Sequence, residues 1–507
     1  MRKHQLREFA RALQERGLLL EAVLPSEERE IGYLSYDSRD LGEDTLFVCK
    51  GAAFKEEYLQ QVLEAGAAAY VSETVYPNVD PAVPHLMVTD IRKAMPVLAG
   101  LFYEEAWKQL NLVGITGTKG KSTTTYYVKY ILDSWMEAKG QPKTGVISSI
   151  DTYDGVIFKE SHLTTPEVMD LQRHFRNAVD SGIGYMTMEV SSQGLKYDRV
   201  DDIVFDVGIF LNISEDHISP IEHPTMEDYF QSKLKIFRST KHAVVNLDSD
   251  RAEEIVAAAS AAEDVLTFSQ TKPEADLYGY DVQKTGDEIR FRVRYQQGAG
   301  FDEPFALTMP GLFNVENALA AIGTALILGV PMEHIKKGLY EARSSGRMEV
   351  YTSKDRRIIA IVDYAHNRLS FEKLFGSTKE EYPDYKIVSI YGCPGSKAQL
   401  RRRDLAEVAV QFASKIFVTS EDSGTEPFEQ IAEEIAAHIR PSGCPYAVIE
   451  EREEAIRTAF SEMTEPTVFL ITGKGNETRQ KIGRNYVPCL SDVEITKKYL
   501  ALYNEML

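Results

Sequence analysis

The sequence predicts an α/β chain folded as three domains, and three observations carry that prediction. Apolar runs of strand length recur along the chain with helical patterns between them. Most of those runs do not alternate with polar residues, as expected of strands buried on both faces of a parallel sheet. One of them leads directly into "GTKGKS" (residues 117–122) and then a helical stretch, the order of a phosphate-binding turn. At 507 residues the chain is also too long for a single core, so two to four domains are expected.

Taken in order, "MRKHQLREFARALQERG" reads as an amphipathic, charged helix without the apolar centre of a signal peptide. From Leu46 to Ala106, "TLFVCKG", "AAAYVSET" and "HLMVTDI" alternate with helical patterns, the last a helix over residues 92–105, giving a small N-terminal α/β domain over residues 1–108. "LNLVGIT", "IGYMTMEV", "FDVGIFLNI" and "HAVVNLD" then build the parallel sheet of a central, P-loop ATPase-like domain, residues 109–343. Late in it "DEIRFRVRY" does alternate, which predicts an antiparallel hairpin with one wet face, and "NVENALAAIGTALILGV" follows as a long helix. After "SSGRMEV" the pattern resumes with "RIIAIVDYA", "YKIVSIYGC", "KIFVTSED", "YAVIEE" and "TVFLITGKG". With helices over residues 401–413 and 428–439 between them, these predict a Rossmann-like C-terminal domain, residues 344–507.

Composition narrows the function classes. Hydrophobic residues at 43% and charged residues at 26% describe an ordinary globular chain. A formal net charge of −20 argues against nucleic-acid or anionic-membrane partners, which clustered Lys and Arg would hold. An anionic substrate must then meet a local basic or metal-bearing pocket. Cys49, Cys393, Cys444 and Cys489 show no metal-ligand spacing, which argues against structural zinc and suits a reducing compartment. With no run of membrane-span length, a cytoplasmic protein without membrane insertion is expected.

The phosphate turn is the sharpest chemical signal. Gly117 and Gly120 let the backbone approach an anion, Lys121 suits β- and γ-phosphate charge, and Ser122 offers its hydroxyl to Mg²⁺. The spacing departs from G-x4-GK[ST], because Ile115 stands five residues before Gly120, so a plain glycine-rich turn is the alternative. Glu189 ends an apolar run and is either a paired strand-end carboxylate or a metal ligand. His217 follows another run, at the edge where open α/β sheets place ligands. Phe230, Lys233 and Phe237 share a helical face, so Lys233 either snorkels at the surface or is drawn into an apolar site.

"TGTKGKS" matches the T-G-T-x-G-K-[ST] pattern of Mur ligases, and the chain resembles the MurE type of that family over essentially its whole length. The resemblance implies an ATP-dependent amide ligase that works through an acyl phosphate in peptidoglycan precursor synthesis, with Mg²⁺ as cofactor. It implies UDP-N-acetylmuramoyl-dipeptide, ATP and an amino acid as partners of a monomer. "YDSRDLGEDTLFVCKG" places Asp37, Ser38 and Arg39 at the uridine nucleotide; "LTTPEVMDLQ" places Thr164, Thr165 and Pro166 along the muramoyl part. "MEVSSQGLKYDR" brings Glu189 to Mg²⁺ and Ser191, Gln193 and Arg199 to the substrate, while His217 is implied as a ligand of a second Mg²⁺. Lys233 matches a lysine that is carbamylated in the family, where a CO₂-derived carbamate turns an amine into an oxygen ligand for magnesium. The nucleotide would also meet Thr118, Lys119 and Thr123, with Asn317 near adenine, Arg347 on the phosphates, and Asp363 and His366 at the ribose. For Arg347 an interdomain ion pair is the alternative.

Diaminopimelate-adding members carry D-N-P-R, whose arginine holds a second carboxylate; here the segment reads Glu421-Asp422-Ser423-Gly424. Two acids beside the pocket suit an ε-ammonium, and Gln193 with "DYAHN" also resembles the lysine-adding branch. Arg402 is implied at the α-carboxylate, and Gly473 and Glu477 at the α-amino end. One rival is a folate polyglutamate-adding ligase, which lacks the N-terminal unit; another is a nucleotide-binding paralogue without catalysis, disfavoured by Lys121, Glu189, His217 and Lys233 together.

Overall fold

A computed structural model describes residues 3–51, 54–161, 163–215, 218, 222–286, 288–344, 346, 348–396 and 399–507. His217 and Arg347, both expected at the site, lie outside the described residues.

The N-terminal sheet contains β1 (Leu19–Val23), β2 (Tyr33–Ser35), β3 (Thr45–Val48), β4 (Ala69–Ser72) and β5 (His85–Val88) in the order β1-β5-β4-β3-β2. Only the β1–β5 pairing is antiparallel. Helix α1 (Leu6–Glu15) buries Leu6, Phe9, Ala10 and Leu13, the apolar stripe expected of the amphipathic N-terminus. α2 is Glu56–Glu64. α3 (Ile91–Phe102) starts on Asp90, whose carboxylate accepts from the backbone N–H of Arg92 and Lys93. It stops short of the expected residue 105 because Glu104 and Glu105 turn left-handed, φ 57° and 45°.

The central domain holds an eleven-stranded sheet. Its parallel part comprises β6 (Asn111–Thr116), β7 (Gly145–Ile147), β10 (Tyr185–Glu189), β11 (Phe205–Phe210), β12 (Thr240–Asn246), β13 (Asp264–Ser269) and β14 (Leu277–Thr285). Antiparallel β8 (Asp151–Tyr153) and β9 (Phe158–Glu160) close one edge; β15 (Glu288–Tyr295) and β16 (Phe301–Leu307) close the other. The order is β9-β8-β7-β10-β6-β11-β12-β13-β14-β15-β16. The alternating run is thus the middle strand of a three-stranded meander, burying Ile289, Phe291 and Val293.

Both faces of the parallel strands are covered. Val113, Ile115, Val207 and Ile209 pack with helices α4 (Lys121–Ala138), α9 (Asn314–Ile327) and α10 (Met332–Glu341). Leu112, Met186, Met188 and Phe210 pack on the other side with α5 (Val168–Asp180), α7 (Met226–Leu234) and α8 (Ala252–Ala259). A short helix, α6 (Ser192–Lys196), follows β10.

The C-terminal sheet runs β17-β18-β22-β19-β20-β21, where β17 is Glu349–Thr352, β18 Ile358–Asp363, β19 Lys386–Tyr391, β20 Lys415–Val418, β21 Tyr446–Val448 and β22 Thr467–Thr472. Only β17 is antiparallel. Helices α11 (Arg368–Glu381), α12 (Leu400–Phe412) and α13 (Phe428–Ile439) lie on one face, α14 (Arg452–Ser461) and α15 (Asp492–Glu505) on the other. A hairpin of β23 (Arg479–Ile482) and β24 (Asn485–Pro488), not anticipated from sequence, stands beside the carboxyl ends of these strands. The α/β fold class with three sheet-centred units is therefore the one expected.

Candidate active site

The carboxyl ends of β6 and β11 face that of β18 and the start of α11 across the cleft between the second and third units, which is where open α/β sheets hold ligands. The phosphate turn leaves β6 at Gly117. Its Thr118 N–H donates to Asn212 O (2.9 Å) and its Lys119 N–H to Asn212 Oδ1 (2.8 Å), so β11 braces the loop from below. Gly120 has φ 85°, and a Cβ there would land on the Asn317 carboxamide. α4 then begins at Lys121, aiming its first-turn N–H groups and the positive end of its dipole into the cleft. Lys121 Nζ folds back onto Gly117 O (3.0 Å) and Thr118 O (3.2 Å). Lys119, Gly120, Ser122, Thr123 and Asn317 line a pocket with Asp363, His366, Ser370 and Lys373 of the third unit, so the nucleotide-directed candidates on the two units come together.

Glu189 is 1% exposed at the end of β10, yet among the described residues no cation pairs with it. Its Oε1 accepts from the Ser149 N–H (2.8 Å) and hydroxyl (3.1 Å), and the Ser149 hydroxyl lies 3.1 Å from that of Ser122. A row of hard oxygens thus runs from the phosphate turn to a buried carboxylate, a donor set that suits Mg²⁺ completed by phosphate and water. Among the described residues no group of three or more His, Cys, Asp and Glu gathers as a metal cage.

Lys233 does not snorkel. It is 1% exposed, between Phe230 and Phe237, which are also buried; its Nζ donates to Gly117 O (2.8 Å) and lies 4.7 Å from the centre of the Tyr229 ring. The Tyr229 hydroxyl in turn donates to Thr118 Oγ (3.2 Å), so α7 holds a buried amine against the phosphate turn. Neither Ser149 nor Tyr229 was marked by a sequence motif.

The substrate-directed residues form a second group. Thr165 Oγ donates to Glu189 O (3.0 Å) and accepts from Ser191 N–H (2.9 Å); Arg199 donates to Thr165 O (3.0 Å) and pairs with Glu167 (2.7 Å). Ser191 caps α6, which carries Gln193. Thr164 and Pro166 flank Thr165 on the same segment. Glu167 also pairs with Lys50, and Tyr36 donates to Asp170 (2.6 Å), which ties this group to the N-terminal unit. There Arg39 forks onto Asp37 (2.9 and 2.7 Å) and holds its carboxyl below the usual range; Ser38 lies between them, half-buried.

At the third unit one expectation needs correcting. Arg402 is 2% exposed and its guanidinium is already engaged by Glu426 (2.8 Å to each oxygen) and Glu434 (2.6 Å), so it is not presented to an amino-acid carboxylate. Two of the acids at this end also have a basic partner. Lys474, absent from the sequence candidates, is buried and pairs with Asp422 (3.0 Å) and Glu477 (2.6 Å), while Tyr364 donates to Glu477 as well (2.6 Å). The Glu421 carboxylate accepts no hydrogen bond among the described residues, and burial pushes it up to about 7. Gly473, φ 108°, sits so close that a Cβ there would be 2.9 Å from Glu421 Oε2. Gly424 has φ 59°, donates to Lys481 O (3.1 Å) and accepts from Gly483 N–H (2.7 Å), so a left-handed turn beneath the hairpin favours glycine at this position. Asp363 accepts from the N–H groups of Met348 and Ala365 (2.8 Å each), fixing the interdomain linker.

Residues 115–325 match the Mur ligase middle domain, and residues 346–475 match the Mur ligase, glutamate ligase domain. The chain is 39% identical to the UDP-N-acetylmuramoyl-L-alanyl-D-glutamate–L-lysine ligase of Enterococcus faecalis, over 93% of this chain and 92% of that one. The chain belongs to the Mur ligase family. This Mur ligase is accordingly an ATP-dependent enzyme that joins an acid to an amine. It is also 37% identical to the UDP-N-acetylmuramyl-tripeptide synthetase of Lactobacillus delbrueckii subsp. bulgaricus, over 92% and 93% of the two chains. Among solved structures, a UDP-N-acetylmuramoyl-L-alanyl-D-glutamate–2,6-diaminopimelate ligase shares the fold with TM-score 0.66 and 24% identity, covering 99% of this chain and 100% of that one. The folylpolyglutamate synthase of Thermotoga maritima also shares the fold, with TM-score 0.56 and 19% identity, over 75% of this Mur ligase and 89% of its own length. No described helix is long and apolar enough to cross a membrane.

Proposed function

We propose that this Mur ligase adds L-lysine to the D-glutamyl carboxylate of UDP-N-acetylmuramoyl-L-alanyl-D-glutamate, with ATP converted to ADP and phosphate. The observation that carries the reading is the line of groups running from Lys121 and Ser122 through Ser149 to Glu189, with buried Lys233 on the same turn. The lysine ligases named above support the choice of amino acid, as does the glycine at residue 424.

A carboxylate repels nucleophiles and has no leaving group, so it must be activated. The substrate carboxylate oxygen attacks the γ-phosphorus of ATP, the bond to the β,γ-bridging oxygen breaks, and ADP departs with that electron pair. The amine then adds to the acyl carbon of the mixed anhydride, and phosphate leaves as the amide forms and the nitrogen loses its proton. Catalysis of the first step is mainly positioning and charge neutralisation. Lys121 swings from the loop carbonyls onto the phosphates, and the α4 N–H groups hold them. Asn317, Asp363 and His366 line the rest of the nucleotide pocket.

Ser122 and Glu189 would hold Mg²⁺, which supplies positive charge to the phosphoryl oxygens when bound. A carbamate on Lys233 would add an anionic oxygen next to them, and the burial of this amine suits that chemistry. Thr165, Ser191 and Arg199 would orient the muramoyl peptide, with Asp37, Ser38 and Arg39 at the uridine end. Glu421, Asp422, Gly473 and Glu477 would meet the amino acid.

The test is purified protein with magnesium, ATP and the UDP-muramoyl dipeptide, offered amino acids singly. Equal amounts of ADP and tripeptide with lysine are expected; ADP and tripeptide only with diaminopimelate would reassign the substrate, and neither product with any amino acid would remove the reading.

A further inference from the structure

Behind the amino-acid end of the cleft lies a buried pair that no part of the mechanism uses. Arg452 is the first residue of α14 and Asp492 the first of α15; they are 7% and 1% exposed. The guanidinium binds Asp492 through Nε (2.6 Å) and Nη2 (2.8 Å), and it also donates from Nη2 to Thr472 O (2.7 Å) and from Nη1 to Ser420 O (3.2 Å). Asp492 Oδ2 accepts in addition from Gly475 N–H (3.1 Å).

These are not arbitrary backbone groups. Ser420 immediately precedes Glu421 and Asp422, and Thr472 precedes Gly473 and Lys474. One planar fork therefore sets the separation of the two segments that bear the acids of the pocket, while its counter-ion pins the glycine turn carrying Glu477. Gln480 of the hairpin closes the same arrangement, donating to Ser420 Oγ and Glu421 O (2.8 Å each). Stability alone is a weak reason for such a pair, because apolar residues of similar volume commonly replace buried ion pairs without loss. Geometry is the stronger reason: lysine has three donors on one atom and cannot span two carbonyls and a carboxylate as arginine does.

We infer that Arg452 and Asp492 are positioning residues for the amino-acid substrate, fixing the spacing of the Glu421–Asp422 and Gly473–Glu477 segments without touching the substrate. This rests on the ligase reading above and deepens it. Misplacement of binding groups by a fraction of an ångström weakens the one substrate they hold and leaves distant sites intact.

Steady-state kinetics of Arg452→Lys, with each of the three substrates varied in turn, tests it. The KM for lysine should rise about tenfold or more, with the KM for ATP and for the UDP-muramoyl dipeptide within about twofold of wild type. Asp492→Asn keeps the shape and one acceptor; it should show a smaller rise of the same kind and carries the test if Arg452→Lys does not fold. A folded variant whose lysine KM is unchanged, or whose three KM values rise together, overturns the inference and leaves a purely structural pair. A wild-type protein that ligates no amino acid removes the underlying reading, and this inference with it.

Discussion

At the scale of single residues, burial decides what each charged group can do. Lys233 is 1% exposed, and a carbamate there would present oxygen where an ammonium presents N–H. If a carbamate is the working form, Lys233→Arg should lose as much turnover as Lys233→Ala, on the order of a hundredfold or more. A Lys233→Arg enzyme of near wild-type rate would mark the lysine as a simple ammonium on Gly117 O. Glu421 supplies a pH signature. Burial lifts its carboxyl to about 7, so folding favours the protonated form; that contribution to stability is present below the ordinary carboxylate range and is lost as pH rises through about 7. Binding of an ammonium runs the other way, because it requires the ionised form. The KM for lysine should therefore fall as pH rises from about 6 to 8, and Glu421→Gln should flatten that profile. The buried strand-end position of Glu189 can be read from the sequence, because an acid at the end of an apolar run is conspicuous. Arg402 was misread because its partners Glu426 and Glu434 lie 24 and 32 residues further on, where no local pattern announces an ion pair.

At the scale of elements, the parallel strands were readable because burial on both faces leaves unbroken apolar runs, as β6 shows by sending Leu112 to one core and Val113 to the other. Neither β13 nor the second partner of β15, both of ordinary length, is marked in the reading from sequence, and short strands are passed over as well. β8, β9, β23 and β24 span three or four residues each, and β24 is exposed throughout, so neither length nor alternation could signal them. Helix contact adds a constraint that periodicity cannot express. α10 crosses α4 at Gly338, where a Cβ would strike the backbone of Tyr130 and Ile131. Backbone cannot rotate aside as a side chain can, so Gly338→Ala must separate the helices although alanine is the better helix former. Thermal unfolding of Gly338→Ala should show a loss of about 1–3 kcal/mol; an unchanged or raised midpoint would mean that the contact yields without cost.

For the molecule as a whole, the placement of the third unit over the phosphate turn depends on a few side chains far from the chemistry. Glu381, 2% exposed on α11, accepts from Gly311 N–H (2.9 Å) and Ser377 Oγ (2.7 Å) and pairs with Lys284 of β14, whose ammonium stands 4.3 Å from the centre of the Tyr382 ring. Ser377 also accepts from Leu312 N–H (3.2 Å), and Lys373 faces Glu316 (3.5 Å) at the rim of the nucleotide pocket. Glu381 is thus a buried carboxylate at the centre of several contacts that join the central and C-terminal units. Removing it strands the Lys284 charge, which is one-fifth exposed, so the cost falls below that of a fully buried pair, about 2–3 kcal/mol. Because this contact bears on domain placement, that cost should appear as opening of the cleft. Glu381→Ala is expected to raise the KM for ATP several-fold and to enlarge the radius of gyration in small-angle scattering. Glu381→Gln, which keeps an acceptor for Gly311 and Ser377, should do less, and in neither variant should the KM for the UDP-muramoyl dipeptide change much, since the N-terminal unit is held through Lys50, Glu167 and Arg199. A Glu381→Ala protein with wild-type dimensions and wild-type ATP affinity would show that the third unit is held in place by other contacts.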